Sequence, residues 1–152
     1  MAAKKHMTKV VTYAYYSAEK YDKVNCDNKK YLRMYFDYLF LDEGVNFSEK
    51  TEKAHKRILE TFFIYLYEFK DNMSVLNINA GDITEYFDWY MTKRNHGKIV
   101  TDIPMKHKME GCISRFFKYL AKRKFIEVNP FQFVEKVDWE EYKKKHNKRE
   151  KK

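Results

Sequence analysis

The chain has 152 residues, with 31 Lys and Arg against 22 Asp and Glu, a formal net charge of +9 at pH 7. That length fits one domain with its own core, and 44% apolar beside 35% charged residues describes a globular chain rather than a disordered one. Only 4 Gly and 2 Pro disfavour turn-rich all-β folds and Gly-rich phosphate loops, and two distant cysteines, Cys26 and Cys112, give neither a zinc spacing nor a disulfide framework, which points to a reducing, cytoplasmic setting.

Residues 1–26 mix β-branched and aromatic side chains without clean alternation and read as an N-terminal arm, partly ordered. The first seven residues are basic but lack the apolar centre of a signal peptide. From Asp27 the period becomes helical. Tyr31, Met34, Tyr35, Tyr38, Leu39 and Leu41 recur at steps of three and four and predict a helix over 28–43, capped by Asp27 or Asn28 and ended by Gly44. Ser48 opens a second helix over 49–71, whose apolar stripe is Ala54, Ile58, Leu59, Phe62, Phe63, Leu66 and Phe69. Lys53, Lys56, Arg57 and Glu60 fall on or beside its opposite face.

Asn79, with Asp82 three residues on, starts a third helix that buries Ile83, Phe87, Tyr90 and Met91 and ends near Arg94, where Asn95-His96-Gly97 breaks it. The fourth helix, 101–124, is capped by Thr101 or Asp102 and carries Pro104 in its first turn, where a missing N–H costs nothing. Met105, Met109, Cys112, Ile113, Phe116, Phe117 and Leu120 point inward. After Asn129-Pro130 a short fifth helix, 131–137, carries Phe131, Phe133, Val134 and Val137. No strand is expected after residue 20, and no apolar run approaches the ~18 residues of a spanning helix, so no membrane partner is expected. The reading is all-α: a compact bundle of four longer helices and a short C-terminal one over 27–137, followed by a polar, basic tail at 138–152.

The positive charge is uneven. Between Asp102 and Phe125, seven cations stand against two acids, a net of +5, and the tail 138–152 nets +3. The third helix nets −1 over 79–94. Lys106, His107 and Lys108, close to a positive helix end, suit phosphate contacts.

No P-loop, G-x-G-x-x-G, G-x-S-x-G or H-E-x-x-H pattern occurs, and the five histidines are scattered. The thirteen tyrosines read as rim-of-core packing with a wet hydroxyl. No cofactor, metal or small-molecule substrate is expected.

Four stretches together carry a family resemblance. They are Tyr31-Leu32-Arg33-Met34-Tyr35-Phe36-Asp37-Tyr38-Leu39, the run from Ser48 to Leu59 with Thr51 and His55, Ile78-Asn79-Ala80-Gly81-Asp82-Ile83-Thr84-Glu85-Tyr86-Phe87, and Ile113-Ser114-Arg115-Phe116-Phe117-Lys118-Tyr119-Leu120 followed by Phe125-Ile126-Glu127-Val128-Asn129-Pro130. Their order and spacing resemble the SAM-like core-binding domain of tyrosine recombinases and phage integrases, over 28–137. The resemblance implies a domain that clamps one face of duplex DNA, with its second and fourth helices near the major groove, for DNA integration or recombination. It selects Thr51, Lys53, Lys56 and Arg57 on the second helix and Lys106, His107, Lys108 and Arg115 on the fourth. Double-stranded DNA is the implied partner, with other recombinase protomers beside it.

The family's catalytic residues belong to a separate C-terminal domain. His146-Asn147-Lys148-Arg149 matches its His-x-x-Arg by accident, in a lysine-rich tail with no tyrosine after it. The chain is therefore expected to bind DNA without cleaving it, as a fragment of a longer integrase or a stand-alone relic of its DNA-binding half. The competing expectation is a helical protein–protein adaptor, in which part of the 18% aromatic content faces solvent as a docking patch.

Overall fold

The computed structural model describes residues 16–134 apart from 93, 96, 97 and 100–102, and the side chains of 91–108 fall outside that description. Part of the N-terminal arm is folded: Ser17 accepts the Lys20 N–H at 3.0 Å and caps a short helix, α1, Ala18–Asp22. The next helix, α2, runs Cys26–Asp37. Its cap is Asn25 rather than Asp27 or Asn28, and the Asn25 side chain accepts the Asn28 N–H at 2.8 Å. Asn28 is instead fully buried.

At Tyr38 the helix widens into one π turn, Tyr38–Asp42, closed by the Glu43 N–H on the Tyr38 carbonyl at 3.1 Å. Gly44 then takes φ +64°, which a side chain would resist, and the Val45 N–H reaches back to the Leu39 carbonyl at 2.9 Å. The burial pattern keeps Tyr35, Tyr38 and Leu39 of the expected helix face, with Tyr31 and Met34 at its margin, and corrects Leu41. This stretch carries two overlapping apolar stripes, and the core takes the one with Leu32, Tyr35, Phe36 and Leu39. Leu41 belongs to the other stripe and is 80% exposed.

Helix α3, Glu49–Phe69, begins at Ser48, which accepts the Thr51 N–H at 3.2 Å. Six consecutive residues, 61–66, are buried, so the middle of α3 is enclosed on every side rather than amphipathic. Phe69, expected in the buried stripe, lies past this stretch and is 54% exposed. A 3-10 turn, Val75–Asn77, leads to α4, Ala80–Thr92. Asn79 and Asp82 form a reciprocal box at its start: the Asp82 N–H donates to Asn79 Oδ1 at 2.9 Å and the Asn79 N–H to Asp82 Oδ2 at 3.1 Å.

After α4 the chain makes a minimal antiparallel ladder of β1, Arg94–Asn95, with β2, Lys98–Ile99. The sequence pattern held no strand there, and two residues a side leave the fold all-α. Helix α5, Ile103–Lys122, has Pro104 in its first turn; its proposed caps Thr101 and Asp102 lie outside the described residues. It ends in a Schellman pattern: the Phe125 N–H bonds the Leu120 carbonyl and the Lys124 N–H the Ala121 carbonyl, both at 3.0 Å, with Lys124 at φ +61°. The expected fifth helix is shorter than read. It is a single 3-10 turn, Pro130–Phe133, capped by Asn129 and ended by the extended backbone of Val134, with Phe133 68% exposed. The rest of that segment, 135–137, lies outside the described residues, as does the basic tail.

The core is aromatic and centred on α3, which packs directly on α5 and α1. Phe62, Phe63, Phe116 and Phe117 are fully buried, and the Tyr86 ring of α4 meets Phe62 and Tyr65 with centroids 4.9 Å away in each case. No described helix is long and apolar enough to cross a membrane.

Candidate nucleic-acid interface

The four residues selected on α3 are spread over its exposed side and are differently engaged. Thr51 belongs to the helix start, where the Ser48 hydroxyl donates to Thr51 Oγ1 at 2.9 Å. Lys53 is exposed. Lys56 pairs with Glu52 at 3.3 Å and lies 5.3 Å above the Phe36 ring. The Arg57 guanidinium is stacked 3.5 Å over the ring of Tyr16, from the N-terminal arm. Beneath this layer, burial pushes the Glu60 carboxyl above its ordinary range, and Arg57 and Lys56 draw it back. The arm thus covers part of the α3 face that sequence reasoning offered to a partner.

Helix α5 presents its cations differently. Arg115, Lys118 and Lys122 stand at i, i+3 and i+7, which places them on one face. All three are exposed, and all three line one cleft of about 400 Å³ between α5 and the π turn. Its remaining lining is Tyr35, Tyr38, Leu39, Glu43 and Tyr119. Lys122 Nζ donates to the Tyr38 hydroxyl oxygen at 2.6 Å, and that hydroxyl donates to Glu43 Oε1 at 2.5 Å. This bond to the Tyr38 oxygen lifts the Lys122 ammonium above its ordinary pKa.

Tyr35 closes the inner end. Its hydroxyl lies 3.3 Å from Nε2 of the buried His55; burial pushes its pKa far up, and Arg115 pulls it partly back. Arg123 turns away to the adjoining surface, where it pairs with Asp42 at 2.7 Å beside the Tyr38 ring.

Of the five selected residues whose side chains are described, Arg115 alone lines this cleft. The side chains of Lys106, His107 and Lys108 lie outside the described residues; their backbone belongs to the first turns of α5. Lys108 stands seven residues before Arg115, two turns along the same side of the helix. Lys118 and Lys122 belong to the same row but not to the eight residues that the resemblance selects. Their i+3 and i+7 spacing from Arg115 was the available signal. Tyr38 and Glu43 carried none, since they reach α5 from the far end of α2. Compared with known proteins, the chain matches no family model, no curated protein and no solved structure.

Proposed function

We propose that this chain is a duplex-DNA-binding module of the kind tyrosine recombinases use as a core-binding domain, that it works in the cytoplasm, and that it grips DNA without cleaving it. The observation that carries the reading is the row of Arg115, Lys118 and Lys122 on one face of α5, with Glu43 the single acid among the described residues lining their cleft. A polyphosphate rewards such a row, because each neutralised phosphate releases condensed counterions. In this reading α5 makes the main contact. Lys53 and Lys56 of α3 add to it, and Arg57 adds less while Tyr16 covers it. Other protomers on the same DNA would be the protein partners.

The adaptor reading needs an exposed aromatic patch. Among the described residues the exposed large apolar side chains are Leu41, Phe69, Val128 and Phe133, two of them aromatic. Most of the described aromatic side chains are buried in the core or packed against it instead.

Binding to random-sequence duplex DNA is the test. With roughly four to six phosphates neutralised, log K is expected to fall with log salt at a slope of about −4 to −5. The double variant Arg115→Glu, Lys118→Glu is expected to weaken binding at least about tenfold at 50 mM salt with helix content unchanged. Affinity that ignores salt between ~50 and ~200 mM would remove the DNA reading.

A further inference from the structure

The cleft between the π turn and α5 has properties that a surface lying along a duplex does not require. Among the described residues, three cationic side chains and one acidic one line it, a formal excess of +2, around a volume of about 400 Å³. That volume exceeds a lone inorganic phosphate and falls within the ~300–1,000 Å³ of small-molecule pockets. Its walls are held. Tyr35, Tyr38 and Tyr119 are each at most 9% exposed, with the Tyr38 and Tyr119 rings 5.0 Å apart and those of Tyr35 and Tyr119 5.4 Å apart. The Tyr38 hydroxyl ties Lys122 on one side to Glu43 on the other, so the acid is already hydrogen-bonded within the wall.

We infer that this cleft binds a phosphomonoester attached to a small organic body. A phosphodiester carries one negative charge, whereas a phosphomonoester carries close to two at neutral pH, which matches the excess of the lining. Arg115 supplies a planar fork of donors for the phosphate oxygens, and Lys118 and Lys122 supply point charges on flexible stems. The organic body lies towards Leu39 and the tyrosine edges. The same chemistry comes from two sources, a free nucleoside monophosphate or the 5′-phosphorylated end of a DNA strand. The site stands on its own geometry and does not depend on the duplex grip.

The test is an amide-resolved NMR titration of the full chain with four probes: a nucleoside 5′-monophosphate, the unphosphorylated nucleoside, and one short oligonucleotide with and without a 5′-phosphate. The nucleoside 5′-monophosphate is expected to shift the amides of residues 115–122 and of the π turn while the nucleoside does not, and the 5′-phosphorylated oligonucleotide to shift them further than its unphosphorylated counterpart, whose backbone phosphates meet the same cations. Whichever phosphorylated probe binds identifies the source. Lys118→Glu is expected to weaken that binding about tenfold, with Lys122→Gln as a second variant should the first lose helix content. Glu43→Gln is expected to tighten it severalfold, since it removes the opposing charge. Lys30→Glu, an exposed charge change on α2, is expected to alter it less than twofold. Equal responses to phosphorylated and unphosphorylated probes, or a Lys30→Glu effect as large as that of Lys118→Glu, would overturn the site. Salt-dependent duplex binding that survived such a result would leave the proposed function standing, so the two failures are distinguishable.

Discussion

Asn28 has no exposed surface, yet it carries a side-chain amide. Its Nδ2 donates to the Met73 carbonyl at 3.0 Å, and its Oδ1 accepts the Val75 N–H at 2.9 Å. The start of α2 is thereby fixed to the turn that follows α3. Asn25 and Asn72 complete the joint: the Asn25 N–H donates to Asn72 Oδ1 at 3.1 Å, and Asn25 Nδ2 donates to the Asn72 carbonyl at 2.8 Å. Replacing Asn28 by Leu keeps the branched shape but strands the half-buried Met73 carbonyl and the buried Val75 N–H. The expected loss is about 2–4 kcal/mol, measured by urea unfolding. A loss under about 1 kcal/mol would mean that water or another donor serves those groups. At the sequence level an asparagine before a helical pattern reads as a cap. Its actual use depends on a segment some 45 residues away, which local propensity cannot see.

At the level of elements, the chain has few glycines and places left-handed backbone where the folds of its segments demand it. Gly44 meets the demand after the π turn at φ +64°, and a Cβ there would touch nothing within 4 Å. Lys124 meets it at the end of α5 at φ +61°, without glycine's freedom. The two positions therefore predict opposite outcomes. Gly44→Ala is expected to cost about 1 kcal/mol, and Lys124→Gly to gain about the same, both read from thermal denaturation. Because space is open at Gly44, a much larger loss there would point to the π turn itself coming apart. The helix caps Ser48 and Asn79 and the stop at Gly44 were legible in the sequence, since they depend on neighbours within three or four residues. The π turn was not, because its extra residue shows no distinct pattern among so many apolar side chains.

Across the whole molecule, α3 is the enclosed element and the N-terminal arm is part of its cover. Lys20 pairs with Glu68 at 3.2 Å, Tyr21 packs partly buried against the core, and Tyr16 stacks on Arg57. Native-state hydrogen exchange is expected to rank these layers. Amides of 59–66 should exchange only through global unfolding, whereas those of α1, which buries no residue completely, should open at least about 2 kcal/mol below it. Equal protection of α1 and the middle of α3 would show that the arm and the core unfold as one unit. The same layering moves the available positive charge. On α3, Lys56 is paired and Arg57 is covered, while on α5 the cations open onto a cleft.

The sequence by itself determined that the chain is all-α, where its four long helices lie to within a few residues, and that its positive charge is richest on the last of them. Those properties follow from composition and from a 3.6-residue period, which are local. Only the tertiary structure decided which cations work together. Lys122 meets Tyr38 across 84 residues of chain, and Arg57 meets Tyr16 because a separate helix folds over α3. Such meetings depend on how whole helices pack, and a one-dimensional period fixes the face a side chain leaves from but not what waits opposite it.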